Sequence, residues 1–118
     1  MCKVLLIADD EPDLREILRL EFEGAGWIVL EAENGKSAFE LFEVNKVDAV
    51  ITDVRMPGGG GIQLLEKIKS KNKMMPVLIL TGFTDVLEQE ALDKGALSII
   101  KKPFNILSVF NLIANHVR

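Results

Sequence analysis

The chain has 118 residues with a formal net charge of −4, and its single cysteine, Cys2, excludes an internal disulfide. This length allows one hydrophobic core and excludes a second domain with a core of its own, so we expect a single domain over residues 1–118. The acidic balance argues against direct binding of nucleic acid, and the apolar run near the start is too short for a signal peptide or a membrane span, so we expect a cytoplasmic protein.

The first predicted strand covers residues 4–8 and is apolar throughout, which is typical of a strand buried on both faces of a parallel sheet. Three acids follow it directly: Asp9, Asp10 and Glu11. Pro12 then takes the first position of a predicted helix, where proline is tolerated. The apolar stripe of that helix should face the core and consists of Leu14, Ile17, Leu18, Phe22 and Ala25.

Residues 27–33 alternate between apolar and polar, which predicts a half-exposed edge strand. Its sheltered side should carry Ile28, Leu30 and Ala32. A turn at residues 34–35 precedes a short predicted helix. The core-facing residues of that helix should be Ala38, Leu41 and Phe42.

The third predicted strand begins with the apolar run at residues 49–51 and ends in an acid, Asp53. Ligands of open α/β sheets bind beyond the carboxyl ends of the strands, where Asp53 would lie. Taken alone, Asp53 fits a capping aspartate before the turn at residues 57–61 equally well. The next helix, at about 62–70, should turn Ile62, Leu65 and Ile68 inward. Its outer side should be a solvated face of lysines, namely Lys67, Lys69, Lys71 and Lys73.

The remaining chain repeats the pattern of an apolar strand followed by a helix. Residues 77–80 form a predicted strand that ends in Thr81, and a helix capped by Thr84 should follow to about residue 94. That helix has few apolar residues, so we expect it to be the most mobile one. A last strand at 97–100 ends in Lys102, and a last helix covers about 105–117. The core-facing residues of this helix should be Ile106, Phe110, Ile113, Ala114 and Val117.

Strand and helix alternate five times, which predicts an α/β fold with one doubly wound parallel sheet of five strands and right-handed crossovers. A strand order of 2-1-3-4-5 would make the first and third strands neighbours and place the acidic pair Asp9 and Asp10 beside Asp53. Thr81 and Lys102 would lie at the same edge. Polar residues at four buried strand ends indicate a functional site.

The predicted cluster of acids suggests a metal site and phosphoryl chemistry. Ionised carboxylates that lie close together repel one another unless a cation is bound between them. Carboxylate oxygens are hard ligands of the kind that Mg²⁺ prefers. An aspartate such as Asp53 can attack phosphorus to form an aspartyl phosphate, a transfer that is catalysed mainly by positioning and charge neutralisation. Mg²⁺ and the ammonium group of Lys102 would neutralise the phosphoryl oxygens, and Thr81 would donate a hydrogen bond to the third one.

At these residues the chain resembles the receiver domain of two-component response regulators, the family that includes the bacterial chemotaxis regulator. The resemblance extends over essentially the whole chain and implies the flavodoxin-like (βα)₅ fold. The matching pieces, each at the end of a predicted strand, are Asp9-Asp10, Asp53 with Met56-Pro57 and Gly61, Thr81-Gly82, and Lys102-Pro103-Phe104.

The resemblance also implies a role for each residue of the site. Asp53 would accept a phosphoryl group from a phosphohistidine on a sensor histidine kinase or phosphotransfer protein. Mg²⁺ would be bound by Asp10, Asp53 and the main-chain carbonyl of Arg55, with Asp9 acting mostly through a water molecule. Lys102 would pair with Asp53 or its phosphate, and its peptide bond to the following proline would be cis.

Phosphorylation would then change the output surface. Thr81 would move inward, and the face made by the fourth helix, the last strand and the last helix would be remodelled. The partner would be a downstream effector protein or a fused output domain. The chain would be a phosphoacceptor that catalyses its own phosphorylation and slow dephosphorylation rather than an enzyme acting on other substrates.

Three features depart from the usual receiver pattern. Ile99 stands where an aromatic residue is common, so a switch that couples Thr81 to an aromatic side chain cannot operate in its usual form. Gly60 replaces an acid or amide and completes a run of four glycines. Arg55 and Phe83 flank the expected approach of a hydrolytic water, and we hypothesise that they obstruct it and prolong phosphorylation.

Two other functions fit the predicted fold. An electron carrier would bind FMN at the same edge, but the acids at residues 9–11 would repel a flavin phosphate. A receiver-like module that acts without phosphorylation would typically lack an acid or the lysine, and this chain lacks neither. Whether the chain is a stand-alone regulator or the amino-terminal part of a longer one stays open.

Overall fold

The computed structural model describes residues 2–58, 60–82 and 86–117, and within them five strands alternate with five helices. The strands pair in parallel in the order β2-β1-β3-β4-β5, which confirms the predicted doubly wound sheet. The strands are β1 (Val4–Ala8), β2 (Ile28–Ala32), β3 (Ala49–Asp53), β4 (Val77–Thr81) and β5 (Ser98–Lys101). The helices are α1 (Pro12–Gly24), α2 (Gly35–Val44), α3 (Gly61–Lys71), α4 (Val86–Asp93) and α5 (Ile106–His116).

Successive strand residues point into two apolar clusters, one on each face of the sheet. In β1, Leu6 and Ala8 belong to one cluster, and Leu5 and Ile7 belong to the other. The first cluster also receives buried side chains from α2, α3 and α4, and the second receives them from α1 and α5. Helices therefore cover both faces of the central strands, which is why β1, β3 and β4 are apolar runs without alternation.

Helix α1 begins at Pro12 as predicted, but its core-facing stripe is narrower than predicted. Leu18 and Phe22 are buried, whereas Ile17 is 53% exposed. Neighbouring positions on a helix point about 100° apart, so Ile17 and Leu18 do not both face the sheet. The prediction for Ala25 was also wrong, because the helix ends one residue earlier and Ala25 caps it as an exposed residue.

Strand β2 lies at the edge of the sheet, as predicted, but one of the residues predicted to lie on its buried side is exposed. Ala32 is buried and Leu30 is partly buried, whereas Ile28 is 50% exposed. Ile28 opens the strand opposite Val4 and has a neighbouring strand on one side only. Trp27, just before the strand, is buried instead.

Helices α3 and α5 each bury one side chain that the sequence pattern did not predict. Leu64 in α3 and Val109 in α5 are buried beside the predicted Leu65, Ile68 and Ile113. The prediction of a fully solvated lysine face on α3 was wrong for one residue, because the Lys69 ammonium donates to the Met75 carbonyl at 2.6 Å and to the Lys73 carbonyl at 3.1 Å. Burial lowers the pKa of Lys69.

Helix α4 has eight residues and ends at Asp93. The predicted cap, Thr84, lies outside the described residues, and the predicted mobility of this helix stays a prediction.

Within the described ranges, no helix combines the length and the hydropathy that crossing a membrane requires.

Candidate functional site

The site begins where two neighbouring strands end. Strands β1 and β3 pair in register, with Ala8 opposite Thr52, so the following residues Asp9 and Asp53 emerge side by side. Asp9 is 1% exposed and Asp53 is 8% exposed. The strand order therefore brings two buried acids together, as the sequence predicted.

Asp9 is held on both sides of its main chain and through its carboxylate. Its N–H donates to the Ala32 carbonyl of β2 at 3.0 Å, and its carbonyl accepts from Nη1 of Arg15 at 2.5 Å. Its Oδ1 accepts a hydrogen bond from the Glu11 N–H at 2.8 Å. The loop that carries the acids is thus tied to the neighbouring strand and to α1.

One carboxylate oxygen of Asp53 accepts a hydrogen bond from the main chain, and the other lies next to the Lys102 ammonium group. Oδ1 accepts from the Val54 N–H at 2.8 Å, and Oδ2 lies 3.2 Å from Nζ of Lys102. The loop after Asp53 folds back closely, since the Gly61 N–H donates to the Val54 carbonyl at 2.8 Å. A Cβ atom on Gly61 would lie 2.0 Å from the Asp53 carbonyl oxygen, so only glycine fits there.

Lys102 connects the acids of the first and third strands. Its Nζ lies 3.2 Å from Oδ2 of Asp9, 3.2 Å from Oδ2 of Asp53 and 3.0 Å from Oε1 of Glu11. Its N–H donates to the Thr81 carbonyl at 2.7 Å, which fixes the chain after β5 against the end of β4. The peptide bond between Lys102 and Pro103 is cis, as the resemblance implied.

Burial and neighbouring charges act against each other on the pKa values of Asp9 and Lys102, and the net shift is upward for both. Burial raises the pKa of Asp9, and its hydrogen bond from Glu11 and the charge of Lys102 reverse only part of this shift. Burial alone would lower the pKa of Lys102, but its hydrogen bond to Glu11 and the charges of Asp53 and Asp9 raise it above its usual range. Lys102 therefore keeps its positive charge at neutral pH.

The structure places the other predicted site residues at the same edge. Thr81 ends β4 and is 6% exposed, Asp10 is exposed next to Asp9, and Arg55 is exposed two residues after Asp53. Phe83 lies outside the described residues, so the hypothesis that it obstructs a hydrolytic water stays a prediction. The dephosphorylation rate of Phe83→Ala tests it, and an unchanged rate would reject the steric effect.

Glu11 belongs to the site and was not predicted as a site residue. It supplies the shortest of the three contacts to Lys102, and its N–H binds Asp9. Its position directly after two predicted site acids was the available signal. The sequence does not show whether a third acid turns inward or into solvent, so its pairing with Lys102 depended on the tertiary structure.

The acidic cluster has the composition of a site for a hard divalent cation. Oxygen atoms of Asp9, Asp10, Glu11 and Asp53 all lie within 4.8 Å of one another. Two of these residues are buried and two are exposed, so the cluster is open to water on one side. Carboxylates together with water molecules are the ligands that Mg²⁺ prefers, and these residues fit it.

Comparison with known proteins identifies the family of this chain. The sequence matches the response regulator receiver domain family over residues 5–114. The chain belongs to the response regulator receiver domain family. This membership favours the receiver interpretation over the flavin-binding one, because the match over residues 5–114 spans the acids, the threonine and the lysine.

The receiver domain has relatives among characterised proteins. Response regulator GtcR of Aneurinibacillus migulanus is 36% identical over 119 residues, which cover 100% of this chain and 49% of that protein. A cyclic di-GMP phosphodiesterase of Thermotoga maritima is 36% identical over 118 residues, 96% of this chain and 32% of that protein. The receiver domain thus spans half the length or less of these two curated relatives.

A solved structure of a response regulator has the same fold. The response regulator TrrA of Thermotoga maritima, in complex with Mg²⁺ and BeF, matches with a TM-score of 0.87 and 30% identity. The match covers 98% of this chain and 99% of that one.

Proposed function

We propose that this receiver domain accepts a phosphoryl group on Asp53 from a phosphohistidine of a sensor histidine kinase or phosphotransfer protein. The observation that carries the proposal is the buried Asp53 carboxylate, with Oδ2 3.2 Å from Nζ of Lys102, inside a cluster of acids. A carboxylate in this setting has a cation ready for the charge of an incoming phosphoryl group. We propose residues 1–118 as the receiver unit and the cytoplasm as its location.

The transfer step conserves atoms and charge. An oxygen of Asp53 attacks phosphorus, and the phosphorus–nitrogen bond to the donor imidazole breaks. The donor imidazole keeps the electron pair of that bond and leaves as a neutral ring, because its other nitrogen carries a proton. The product is a mixed anhydride of phosphate and the Asp53 carboxyl group. Water later attacks this phosphorus, the bond between phosphorus and the Asp53 oxygen breaks, and inorganic phosphate leaves. This step restores the carboxylate and gives the slow dephosphorylation expected of such a domain.

The acidic cluster would hold Mg²⁺ through Asp10, Asp53 and the main-chain carbonyl of Arg55, with Asp9 acting through a water molecule. Bound Mg²⁺ would neutralise charge on the phosphoryl oxygens. Without a cation, the clustered carboxylates would repel the negatively charged phosphoryl group, and Lys102 alone offsets only part of this repulsion.

Lys102 and Thr81 would complete the site around the phosphoryl group. Lys102 now contacts three carboxylates, and on phosphorylation its ammonium would bind a phosphoryl oxygen in place of Oδ2 of Asp53. The hydroxyl of Thr81, on the neighbouring strand end, would donate to another oxygen. Because the Thr81 carbonyl binds the Lys102 N–H at 2.7 Å, movement of one of these residues would be passed to the other.

The output would follow from the added charge. Phosphorylation adds about 1.5 to 2 negative charges to the site. Thr81 and the chain after it would shift, and the face formed by α4, β5 and α5 would change for a downstream effector protein or a fused output domain. Ile99 on this face is partly buried against the cluster under α2, α3 and α4, so an aliphatic side chain would take the place of the aromatic one.

Intact mass measurement tests the phosphoacceptor. The wild-type chain, Asp53→Asn and the control Asp13→Asn, which changes an exposed acid of α1, are incubated with acetyl phosphate and Mg²⁺. We expect one phosphoryl adduct on the wild type and on Asp13→Asn, and none on Asp53→Asn or after addition of EDTA. An adduct that persists on Asp53→Asn would reject Asp53 as the acceptor.

A further inference from the structure

Arg15 connects the acidic loop to two secondary-structure elements. Its side chain is 17% exposed, its Nε donates to Oε1 of Glu31 in β2 at 3.0 Å, and its Nη1 donates to the Asp9 carbonyl at 2.5 Å. Arg15 belongs to α1, so one guanidinium group joins the helix, the edge strand and the loop between β1 and α1. The guanidinium group is suited to this role because it is planar and presents several donors in a fixed geometry.

The carbonyl that Arg15 binds belongs to the peptide between the two acids. The Asp9 carbonyl, the Asp10 N–H and the Asp10 Cα atom lie in one peptide plane. A donor that fixes this carbonyl therefore fixes the position from which the Asp10 side chain leaves the main chain. The Asp9 N–H is fixed separately by the Ala32 carbonyl at 3.0 Å.

We propose that Arg15 is a positioning residue that orients the Asp9–Asp10 peptide and thereby sets the affinity of the acidic cluster for Mg²⁺. Groups that orient metal ligands without touching the metal commonly change affinity by about 10- to 100-fold. The proposal rests on the proposed function, since it deepens the role of the same cation site.

Electrostatics alone makes the opposite prediction. Arg15 carries a positive charge next to a cation site, so removing that charge without any change in geometry would make Mg²⁺ bind more tightly. Loss of positioning would make it bind more weakly. The sign of the change in affinity therefore separates the two effects.

The neighbouring Arg19 offers a matched control. Its Nε lies 3.3 Å from Oε2 of Glu31, the other oxygen of the same carboxylate, and its remaining ion pairs are with Glu16 and Glu23 on α1. Arg19→Gln removes the same charge and disturbs the same Glu31, while the hydrogen bond from Arg15 to the Asp9 carbonyl remains.

Calorimetric titration of the whole chain with MgCl₂ tests the proposal on wild type, Arg15→Gln, Arg15→Lys and Arg19→Gln. We expect the dissociation constant to rise about tenfold in Arg15→Gln and by a smaller factor in Arg15→Lys, which keeps the charge but not the fork of donors. Arg19→Gln should bind as the wild type does or slightly more tightly. Urea unfolding in EDTA establishes that each variant is folded, and Arg15→Lys carries the test if Arg15→Gln is not.

A second readout separates positioning from a general loss of structure. The rate of phosphorylation by acetyl phosphate should fall in Arg15→Gln at low Mg²⁺ and recover to within about twofold of the wild type at saturating Mg²⁺. Wild-type affinity in Arg15→Gln, or tighter binding, would overturn the role of Arg15 alone. A wild-type chain that takes up no Mg²⁺ would overturn the cation site and this role together.

Discussion

Two regions of the molecule differ in how deeply their side chains are buried. One is the strand β3, which ends in Asp53, and the other is β5 with its preceding helix α4. Every residue of β3 is buried, whereas β5 has three partly buried residues and one exposed residue. Of the α4 side chains that the structure describes, Ala91 is buried and Leu92 is 40% exposed. Strand β3 has a neighbour on each side, and β5, at the edge of the sheet, has one.

This difference has a functional consequence. The proposed phosphoacceptor lies on the part of the sheet that is hardest to displace, so the geometry around Asp53 is preorganised. The proposed output face lies where less burial opposes movement, and such regions rearrange at a smaller free-energy cost. A charge added at Asp53 should therefore move α4 and β5 rather than β1 and β3.

The largest effect we expect is from Gly61→Ala, because the new Cβ would lie 2.0 Å from the Asp53 carbonyl oxygen and main-chain atoms would have to shift. The free energy of unfolding should fall by more than about 3 kcal/mol. Gly24→Ala is the control, since its Cβ would meet nothing within 4 Å, and its stability should be unchanged or slightly higher. Urea unfolding measures both, and equal stabilities would show that the well-packed side tolerates displacement.

The next effect is from Lys102→Gln, which leaves three carboxylates without their shared cation. Breaking a buried ion pair costs about 3 to 5 kcal/mol, and solvent next to the exposed Glu11 screens part of that, so we expect a loss of about 1 to 3 kcal/mol without metal. Mg²⁺ should restore much of the loss, and the exposed Lys101→Gln should change little. Thermal unfolding with and without Mg²⁺ measures this, and an equal loss in both conditions would count against charge repulsion.

A matched pair of methyl deletions sharpens the comparison directly. Ile51→Val in β3 changes a side chain that is 1% exposed, and Ile100→Val makes the same change in partly buried β5. We expect a loss of about 0.5 to 1.5 kcal/mol for Ile51→Val and less than half of that for Ile100→Val. Urea unfolding under identical conditions measures both losses. A larger loss of unfolding free energy for Ile100→Val would contradict the conclusion that β3 is more tightly packed than β5.

The smallest effect concerns pH. The pKa of Asp9 in the folded chain is raised above its ordinary value of 3.8, so the folded state holds this proton more tightly than the unfolded state. Asp9 should therefore contribute a fall in the free energy of unfolding without metal as pH rises from below 3.8 through the raised pKa, and Asp9→Asn should remove that contribution to the slope. Lys102 adds no slope there, because it is protonated in both states. Unfolding at a series of pH values in EDTA measures the slope, and an unchanged slope in Asp9→Asn would reject this source.

Much of the fold could be predicted from local patterns. Apolar runs without alternation identified β1, β3 and β4 as buried strands, and five alternations of strand and helix predicted the doubly wound sheet. Polar residues at the ends of those strands then indicated the site, because parallel strands bring their carboxyl ends to one edge.

The resemblance implied the pairing of Lys102 with Asp53, but only the tertiary structure decided which other side chains meet within that edge. The contact between Glu11 and Lys102 joins residues 91 positions apart, and the bridge from Arg15 to Glu31 and the Asp9 carbonyl depends on how α1 lies beside β2. The apolar periodicity of α1 also predicted that Ile17 faces the core, whereas it is exposed. A sequence pattern reports the direction of a side chain from its own helix or strand, whereas its partners depend on the placement of elements that are distant in the chain.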